Sequence, residues 1–257
     1  MLIAVLIAIA SLLGIFNDWI YSHETANWAL QGRGQDTGNL IALPILLISA
    51  YYLSKNSLKA YFIWLGTLIY YIYAYIIYSF SIHFNALFLV YVAVLGISAY
   101  TLIGGLMNKN FSQLTKQIPF KAKTKAAAIA IIAIAILFEA LWLSDIIPAL
   151  ISGSAPKDLA PTGLWVNPVH IIDLSMVLPG MIITGILFLK KSRFGYLFTA
   201  PWLAFATLMG SSIVATFIMM FVQQSPDAAI QPLILVGIIT LFSLSMLIVL
   251  LREIPSA

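Results

Sequence analysis

Three carboxylates in the second half of the chain lie in or beside apolar stretches and could do chemistry. Glu139 follows Lys125 by fourteen residues, which places it about 21 Å into a membrane at the rise of an α-helix. Asp145 and Asp173 lie shallower, near the ends of their predicted helices. An ionisable group costs about 2.5 to 3.5 kcal/mol at the centre of a bilayer, and its default interpretation there is functional. For Glu139 the alternative is a structural hydrogen bond between helices.

A histidine and a tryptophan lie at helical spacing from these acids. His170 and Asp173 are three residues apart, so the carboxylate could orient the imidazole, or both could contact one ligand. An ordinary interfacial pair, with Asp173 capping its helix, is the alternative. Trp142 lies one turn from Glu139 and offers an aromatic face. The chain has no cysteine and none of the common metalloprotease, nucleotide or esterase motifs, so we predict no metal site and no cofactor.

An aromatic stripe follows helical spacing in the first half of the chain. It consists of Trp64, Tyr71, Tyr75 and Tyr78. Tyrosines near a membrane interface are typical of the aromatic belt. The alternative is an aromatic wall on a cavity, which could stack on a ligand or hold a cation.

The elements that position these residues are membrane helices. Of the 257 residues, 62% are hydrophobic and only 9% are charged, and the mean hydropathy is +1.02. This composition excludes a soluble domain, and lipid requires each backbone amide to be bonded within its own segment. The sequence therefore predicts an all-α, polytopic integral membrane protein. The net charge of +4 comes from basic residues in a few short loops, which indicates topology and not a nucleic-acid surface.

Apolar stretches long enough to cross about 30 Å of hydrocarbon predict eight transmembrane helices. They cover approximately residues 2–21, 40–54, 60–82, 86–107, 126–151, 171–189, 196–222 and 230–251. With both termini cytoplasmic, only Arg33 and Lys157 of the 13 basic residues lie outside, as the positive-inside rule favours. Most acids, Asp36 included, then fall at or beyond the outer helix ends. The small size and short loops indicate a prokaryotic plasma membrane, with the first segment retained because it lacks signal-peptide features.

A spacing match relates the two halves of the chain. Leu43, Pro44, Ile48, Lys55, Ser57 and Tyr61 recur 135 residues later as Leu178, Pro179, Ile183, Lys190, Ser192 and Tyr196. The match covers a helix, its loop and the next helix, so it predicts two parallel four-helix repeats, residues 1–124 and 125–257. The alternative is a chance coincidence of apolar residues.

The stretch from Asp173 to Pro179, followed by Lys190 and Ser192, resembles the EXPERA family of emopamil-binding protein and the sigma-2 receptor. That family is a four-helix membrane unit with one carboxylate near the end of its first helix. Another carboxylate opens its second helix in an acid-Leu-x-x-x-Leu-Pro pattern. By position, Asp145 resembles the first carboxylate and Asp173 the second, and Thr199 and Pro201 resemble the Thr-Pro of its third helix. A tandem of two units would be similar in layout to transmembrane six superfamily proteins.

The resemblance implies a ligand pocket in the second repeat. The first half keeps Leu43-Pro44, Lys55 and Ser57 but has Gly38 where its second carboxylate would lie. The polar third-helix residue of the sterol isomerases has no clear counterpart between Tyr196 and Val222, which counts against isomerase activity. We therefore expect an acid-lined cavity in the outer half of the second repeat. Its ligand would be a lipid, a sterol-like molecule or a lipophilic amine.

In this hypothesis Asp145 and Asp173 face each other and pair with the polar or cationic head of the ligand. Glu139 lies deeper as a proton donor or hydrogen-bond anchor, and Trp142 and His170 complete the binding residues. The sequence leaves open whether the protein is an enzyme. In an enzyme, Glu139 and Asp173 would be catalytic in a double-bond isomerisation, in which a carboxylic acid protonates an alkene.

Two other function classes stay open from the sequence. A proton-coupled secondary transporter would use Glu139 as its proton carrier, although no matching polar residue lies in the cytoplasmic halves of the helices. A noncatalytic membrane subunit would dock through the basic loop of residues 108–125, which is equally explained as a solvated positive-inside loop. In every case the expected partners are membrane lipid or a lipophilic small molecule and no nucleic acid. A homo-oligomer is compatible with the sequence.

Overall fold

The computed structural model describes residues 1–107 and 118–254. All regular structure in these two ranges is helical. The long helices are α1 (Leu2–Phe16), α2 (Ala26–Leu53), α3 (Leu58–Ser81), α4 (Phe88–Leu106), α5 (Ala122–Ser152), α6 (Pro168–Leu189), α7 (Arg193–Val222) and α8 (Ile230–Glu253). Short 3-10 turns lie at Asp18–Tyr21 and Ala160–Thr162. Most of the basic loop in the docking hypothesis falls outside the described residues.

Seven of the described helices, α2 to α8, are long and apolar enough to cross a membrane. The prediction of an all-α polytopic membrane protein agrees with this result. Helix α1 is apolar but has only 15 residues, a length of about 22 Å at the rise of an α-helix. The eighth crossing, the orientation of the termini and the type of membrane stay predictions.

The helices pack as two four-helix groups that share one interface. In the N-bundle, α1 to α4, neighbouring helices pack in chain order and α4 packs back on α1. In the C-bundle, α5 to α8, the same order of packing holds and α8 packs on α5. Helix α7 joins the groups by packing on both α2 and α3. The sequence duplication stays a prediction, although the order of contacts is alike in the two groups.

Small residues allow the two bundles to approach closely. A Cβ atom added at Gly38 of α2 would lie 2.2 Å from Ser212 Oγ of α7, and one at Gly66 of α3 would lie 2.5 Å from the Pro201 carbonyl oxygen. Such small residues at helix crossings are typical of membrane bundles. Gly38, where the family resemblance expects a carboxylate, therefore lies where α7 crosses α2.

Helix α2 begins much earlier than the sequence predicted. Its first residue is Ala26, and the Thr25 side chain caps it by accepting a hydrogen bond of 3.1 Å from the Trp28 amide. The predicted start near residue 40 is wrong, because the polar residues of the first turns lower the local hydropathy without ending the helix. Some of these residues, such as Asp36 and Asn39, are buried in the protein, and Gln35 bonds Tyr70 of α3 and Ser212 of α7. As a result, Asp36 lies well inside α2 and not at a helix end.

Candidate functional site

Asp173 lies where helix α6 changes its winding. Residues Pro168–Ile172 are α-helical, and Asp173–Val177 form a π turn before the α-helix resumes at Leu178. The Leu178 amide donates to the Asp173 carbonyl, five residues earlier. Single π turns inside α-helices are frequent at functional sites. This turn sets the direction in which the Asp173 side chain leaves the helix.

Three helices meet at the Asp173 carboxylate, which is 8% exposed. Its Oδ2 atom accepts a hydrogen bond of 2.8 Å from the indole Nε1–H of Trp142, on α5. The Tyr73 phenol of α3 lies beside the same carboxylate. Because α3 belongs to the N-bundle, this carboxylate is held by residues of both bundles.

His170 and Asp145 extend this cluster with polar atoms that lack partners. The His170 ring is buried, and its centre lies 4.8 Å from that of the Trp142 ring. Asp145 lies close enough for its charge to act on the imidazole. In the described part of the chain, neither His170 Nε2 nor Asp145 Oδ2 has a hydrogen-bond partner, although both atoms are buried. Buried polar atoms are nearly always bonded, so an exception calls for an explanation.

The structure joins four of the five predicted site residues. Trp142 contacts both Asp173 and His170, and Asp145 lies near enough to His170 for its charge to act on the imidazole. Glu139 is only half-buried on α5, and it makes no hydrogen bond or ion pair within the described residues. No described contact links it to Asp173. The assignment of Glu139 as a ligand or catalytic group stays a prediction.

Two cavities are present elsewhere on the described surface. One, of about 290 Å³, lies between α2 and α3 and is lined by Ser49, Tyr52 and Lys59 among others. The other, of about 540 Å³, lies at the loop before α4, around Phe84 and Leu89. Neither includes a predicted site residue. We name Trp142, Asp145, His170 and Asp173 the Asp173 cluster, which lies outside both of these cavities.

The sequence analysis missed a second buried carboxylate, Asp36 in the N-bundle. Its side chain is 1% exposed. Its Oδ2 atom accepts a hydrogen bond of 2.6 Å from the Tyr21 hydroxyl, and its Oδ1 atom accepts one of 2.8 Å from the Tyr78 hydroxyl. Burial, and then the charge of Asp36, raises the pKa of Tyr21 well above its usual value, so Tyr21 keeps the proton that it donates.

Further hydroxyl groups surround Asp36. Ser11 of α1, Tyr75 of α3 and Tyr91 of α4 are buried around it. Their hydroxyl oxygens have no hydrogen-bond partner in residues 1–107 and 118–254. We name Ser11, Tyr21, Tyr75, Tyr78 and Tyr91 the hydroxyl cage. The expectation that only the second half carries a buried acid site does not anticipate this arrangement.

The tyrosines of α3 belong to the interior of the protein. Tyr71, Tyr75 and Tyr78 are almost fully buried, so their interpretation as an aromatic belt at the membrane surface is wrong. Tyr75 and Tyr78 contact each other with ring centres 5.2 Å apart. The stripe, combined with Asp36 on the preceding predicted loop, was the available signal for this cluster. It could not be interpreted without knowing that α2 continues past Asp36.

Comparisons with protein families, with curated proteins and with solved structures found no match to this chain.

Proposed function

We propose that the protein binds a lipophilic ligand whose head group donates hydrogen bonds, an amine or an alcohol, at the Asp173 cluster. The observation that carries this proposal is the pair of buried, unpartnered atoms, His170 Nε2 and Asp145 Oδ2. Trp142 contacts both the His170 ring and the Asp173 carboxylate, and the charge of Asp145 acts on His170. All three groups can accept hydrogen bonds. A donating head group would therefore satisfy atoms that the protein leaves unsatisfied.

Charge and aromatic character favour an amine among these head groups. Asp145 and Asp173 are both acids, and the described residues place no Lys or Arg in an ion pair with either. The Trp142 ring, beside His170, offers the face on which a cation is favourable, by about 0.5 to 2 kcal/mol. A protonated amine would supply both the missing charge and the missing donors.

The surroundings of the cluster suit an apolar tail. Ile171 and Met176, on the same stretch of α6, are exposed, as is Leu141 beside Trp142 on α5. In a membrane these side chains contact lipid. A ligand could thus keep its tail in the lipid and insert only its head between α5 and α6, which agrees with the absence of Asp173 from both described cavities.

We propose binding and not isomerisation, because no described contact brings Glu139, the predicted proton donor, to Asp173. The resemblance to the EXPERA family supports a ligand of this class and stays a proposal. The transporter and subunit hypotheses stay predictions.

The test is ligand-induced thermal stabilisation of the purified protein in lipid nanodiscs. We expect N,N-dimethyldodecylamine to stabilise the protein and dodecane, its matched hydrocarbon, to have no effect. Asp145→Asn and His170→Phe should each weaken the apparent amine affinity about tenfold or more, since each removes a partner of the head group. The control is Ser144→Ala, an exposed neighbour on α5 that should leave binding unchanged.

Equal stabilisation by the amine and by dodecane would contradict the proposal, because the head group would then play no part. Unchanged amine affinity in both Asp145→Asn and His170→Phe would contradict it as well. Unfolding temperatures without ligand show whether each variant is folded, so a loss of binding can be separated from a loss of structure.

A further inference from the structure

We propose that Asp36 is a proton-binding site, in which the hydroxyl cage offers one hydrogen-bond arrangement for the ionised carboxylate and another for the protonated acid. The site lies in the N-bundle and is independent of the Asp173 cluster, so it goes beyond the proposed ligand binding. Three features of the site support this proposal: the close packing around Asp36, the direction of its hydrogen bonds and the charges nearby.

The space beside Asp36 is too small for an added group. A Cβ atom at Gly14 of α1 would lie 1.9 Å from Asp36 Oδ2, and one at Gly32 would lie 2.9 Å from the Tyr21 ring. Both glycines are therefore needed for the side chains to fit. A proton adds no volume to this packing, whereas a cation or a water molecule would need room.

The ionised carboxylate has two well-placed donors. Tyr21 donates to Oδ2 at 2.6 Å and Tyr78 donates to Oδ1 at 2.8 Å. Hydrogen bonds from neutral donors to a charged acceptor are short and strong. These two bonds offset part of the cost of keeping a charge inside the bundle.

The protonated acid can use the same contacts with one bond reversed. Tyr78 has a single hydroxyl proton but two acceptors, Asp36 Oδ1 at 2.8 Å and the Gly32 carbonyl oxygen at 3.2 Å. When Oδ1 takes up a proton, the acid donates to the Tyr78 oxygen, and Tyr78 donates to Gly32. No heavy atom has to move. The Ser11 hydroxyl, which lies beside the carboxyl group, offers the acid a further acceptor.

The charges near the site are already paired with each other. On α2, Arg33 lies three residues before Asp36, and its guanidinium contacts Asp18 at 2.6 Å. Near Tyr91 of α4, Glu24 bonds His83 at 2.9 Å. The other titratable groups that face Asp36 are Tyr70 of α3 and the tyrosines of the hydroxyl cage, on the turn after α1, on α3 and on α4. The charge of Arg33 acts on Asp36 and favours its ionised form, but Arg33 shares that charge with Asp18.

The test is infrared difference spectroscopy of the protein in nanodiscs, titrated from about pH 10 to about pH 4 across the range in which carboxyl groups in proteins take up protons. We expect a carbonyl band of a protonated carboxylic acid to appear as the pH falls, to be absent in Asp36→Asn and to persist in Asp173→Asn. An unchanged spectrum in Asp36→Asn would overturn the proposal, because Asp36 would then keep one protonation state.

Two tyrosine variants test the reversed bond. Tyr21→Phe removes a donor to Oδ2 that serves both forms but binds the charged carboxylate more strongly, so the midpoint should rise by about one pH unit. Tyr78→Phe removes one bond of the ionised form but two of the protonated form, from the acid to Tyr78 and from Tyr78 to Gly32, so its midpoint shift should be clearly smaller. Equal shifts in the two variants would overturn the two-arrangement network. Tyr100→Phe, at a residue that is 79% exposed, is the control and should leave the midpoint unchanged.

The tyrosine variants also keep the test decisive when Asp36→Asn does not fold. In that event the band is assigned to Asp36 if its titration midpoint shifts in Tyr21→Phe and does not shift in Tyr100→Phe. A titrating band that keeps its midpoint in Tyr21→Phe belongs to another carboxyl group and contradicts the proposal.

Discussion

Asp36 of the N-bundle and Asp173 of the C-bundle are both buried carboxylates, but they are satisfied in different ways. Asp36 is enclosed by hydroxyls of its own N-bundle, and both its oxygens accept a hydrogen bond. Asp173 takes its indole donor from α5 and lies beside Tyr73 of the other bundle, with unpartnered polar atoms nearby. The comparison teaches that the surroundings of a buried carboxylate, and not the residue type, determine whether its hydrogen-bonding groups are satisfied within the protein.

The two helices that carry these acids also differ in the regularity of their backbone. Helix α2 is α-helical throughout Ala26–Leu53, with Pro44 inside it, and its polar side chains face the protein. Helix α6 contains the π turn Asp173–Val177, which places its acid at the junction of α5, α6 and α3. A regular helix supports a packed interior, whereas the irregular turn creates a site.

The largest expected change in stability comes from filling the space at Gly14, which tests whether the Asp36 site is closely packed. We expect Gly14→Val to cost about 3 kcal/mol of unfolding free energy, because the side chain would collide with Asp36 and overpack the N-bundle. Gly96→Val is the control, since nothing lies within 4 Å of a Cβ there. Reversible unfolding in detergent measures both. A cost at Gly96 as large as that at Gly14 would mean that the collision is not the cause.

Smaller changes in stability, together with amine binding, should distinguish the roles of Asp36 and Asp173. We expect Asp36→Asn to lower the unfolding free energy without ligand by about 2 kcal/mol, because two charge-assisted bonds are weakened. Asp173→Asn should cost about 1 kcal/mol, because it weakens the Trp142 bond and leaves the rest of the cluster as it was. Asp173→Asn should instead abolish stabilisation by the amine, which Asp36→Asn should retain. Loss of amine stabilisation in Asp36→Asn alone would reverse the assignment of the two sites.

The smallest expected change in stability concerns the ion pair between Arg33 and Asp18. Asp18 is almost fully exposed, so its bond to Arg33 should contribute less than about 1 kcal/mol. We expect Asp18→Asn to change the unfolding free energy by about 0.5 kcal/mol or less. Thermal unfolding at low and high salt measures it. A loss above about 2 kcal/mol would show that Arg33 and Asp18 support the hydroxyl cage itself.

The sequence singled out the residues that cluster in the C-bundle, but not those around Asp36 in the N-bundle. His170, Asp173 and Trp142 stand out because polar groups within apolar stretches are costly and their spacing shares helix faces. Asp36 lies among other polar residues, where a hydropathy average indicates a loop. Glu139 stays a prediction, because depth along a helix does not reveal which face of the helix is turned inward.

The sequence alone determined that the chain is helical and suited to a membrane, since composition and hydropathy are sums over neighbouring residues. It also singled out the polar groups within long apolar stretches, Asp173 among them, because burial in lipid makes an unpaired group costly. Only the tertiary structure decided what those partners are. The helices that cross at each acid determine its surroundings, the hydroxyl cage at Asp36 and the Asp173 cluster at Asp173. Those crossings bring together residues far apart in the chain, such as Tyr73 and Asp173.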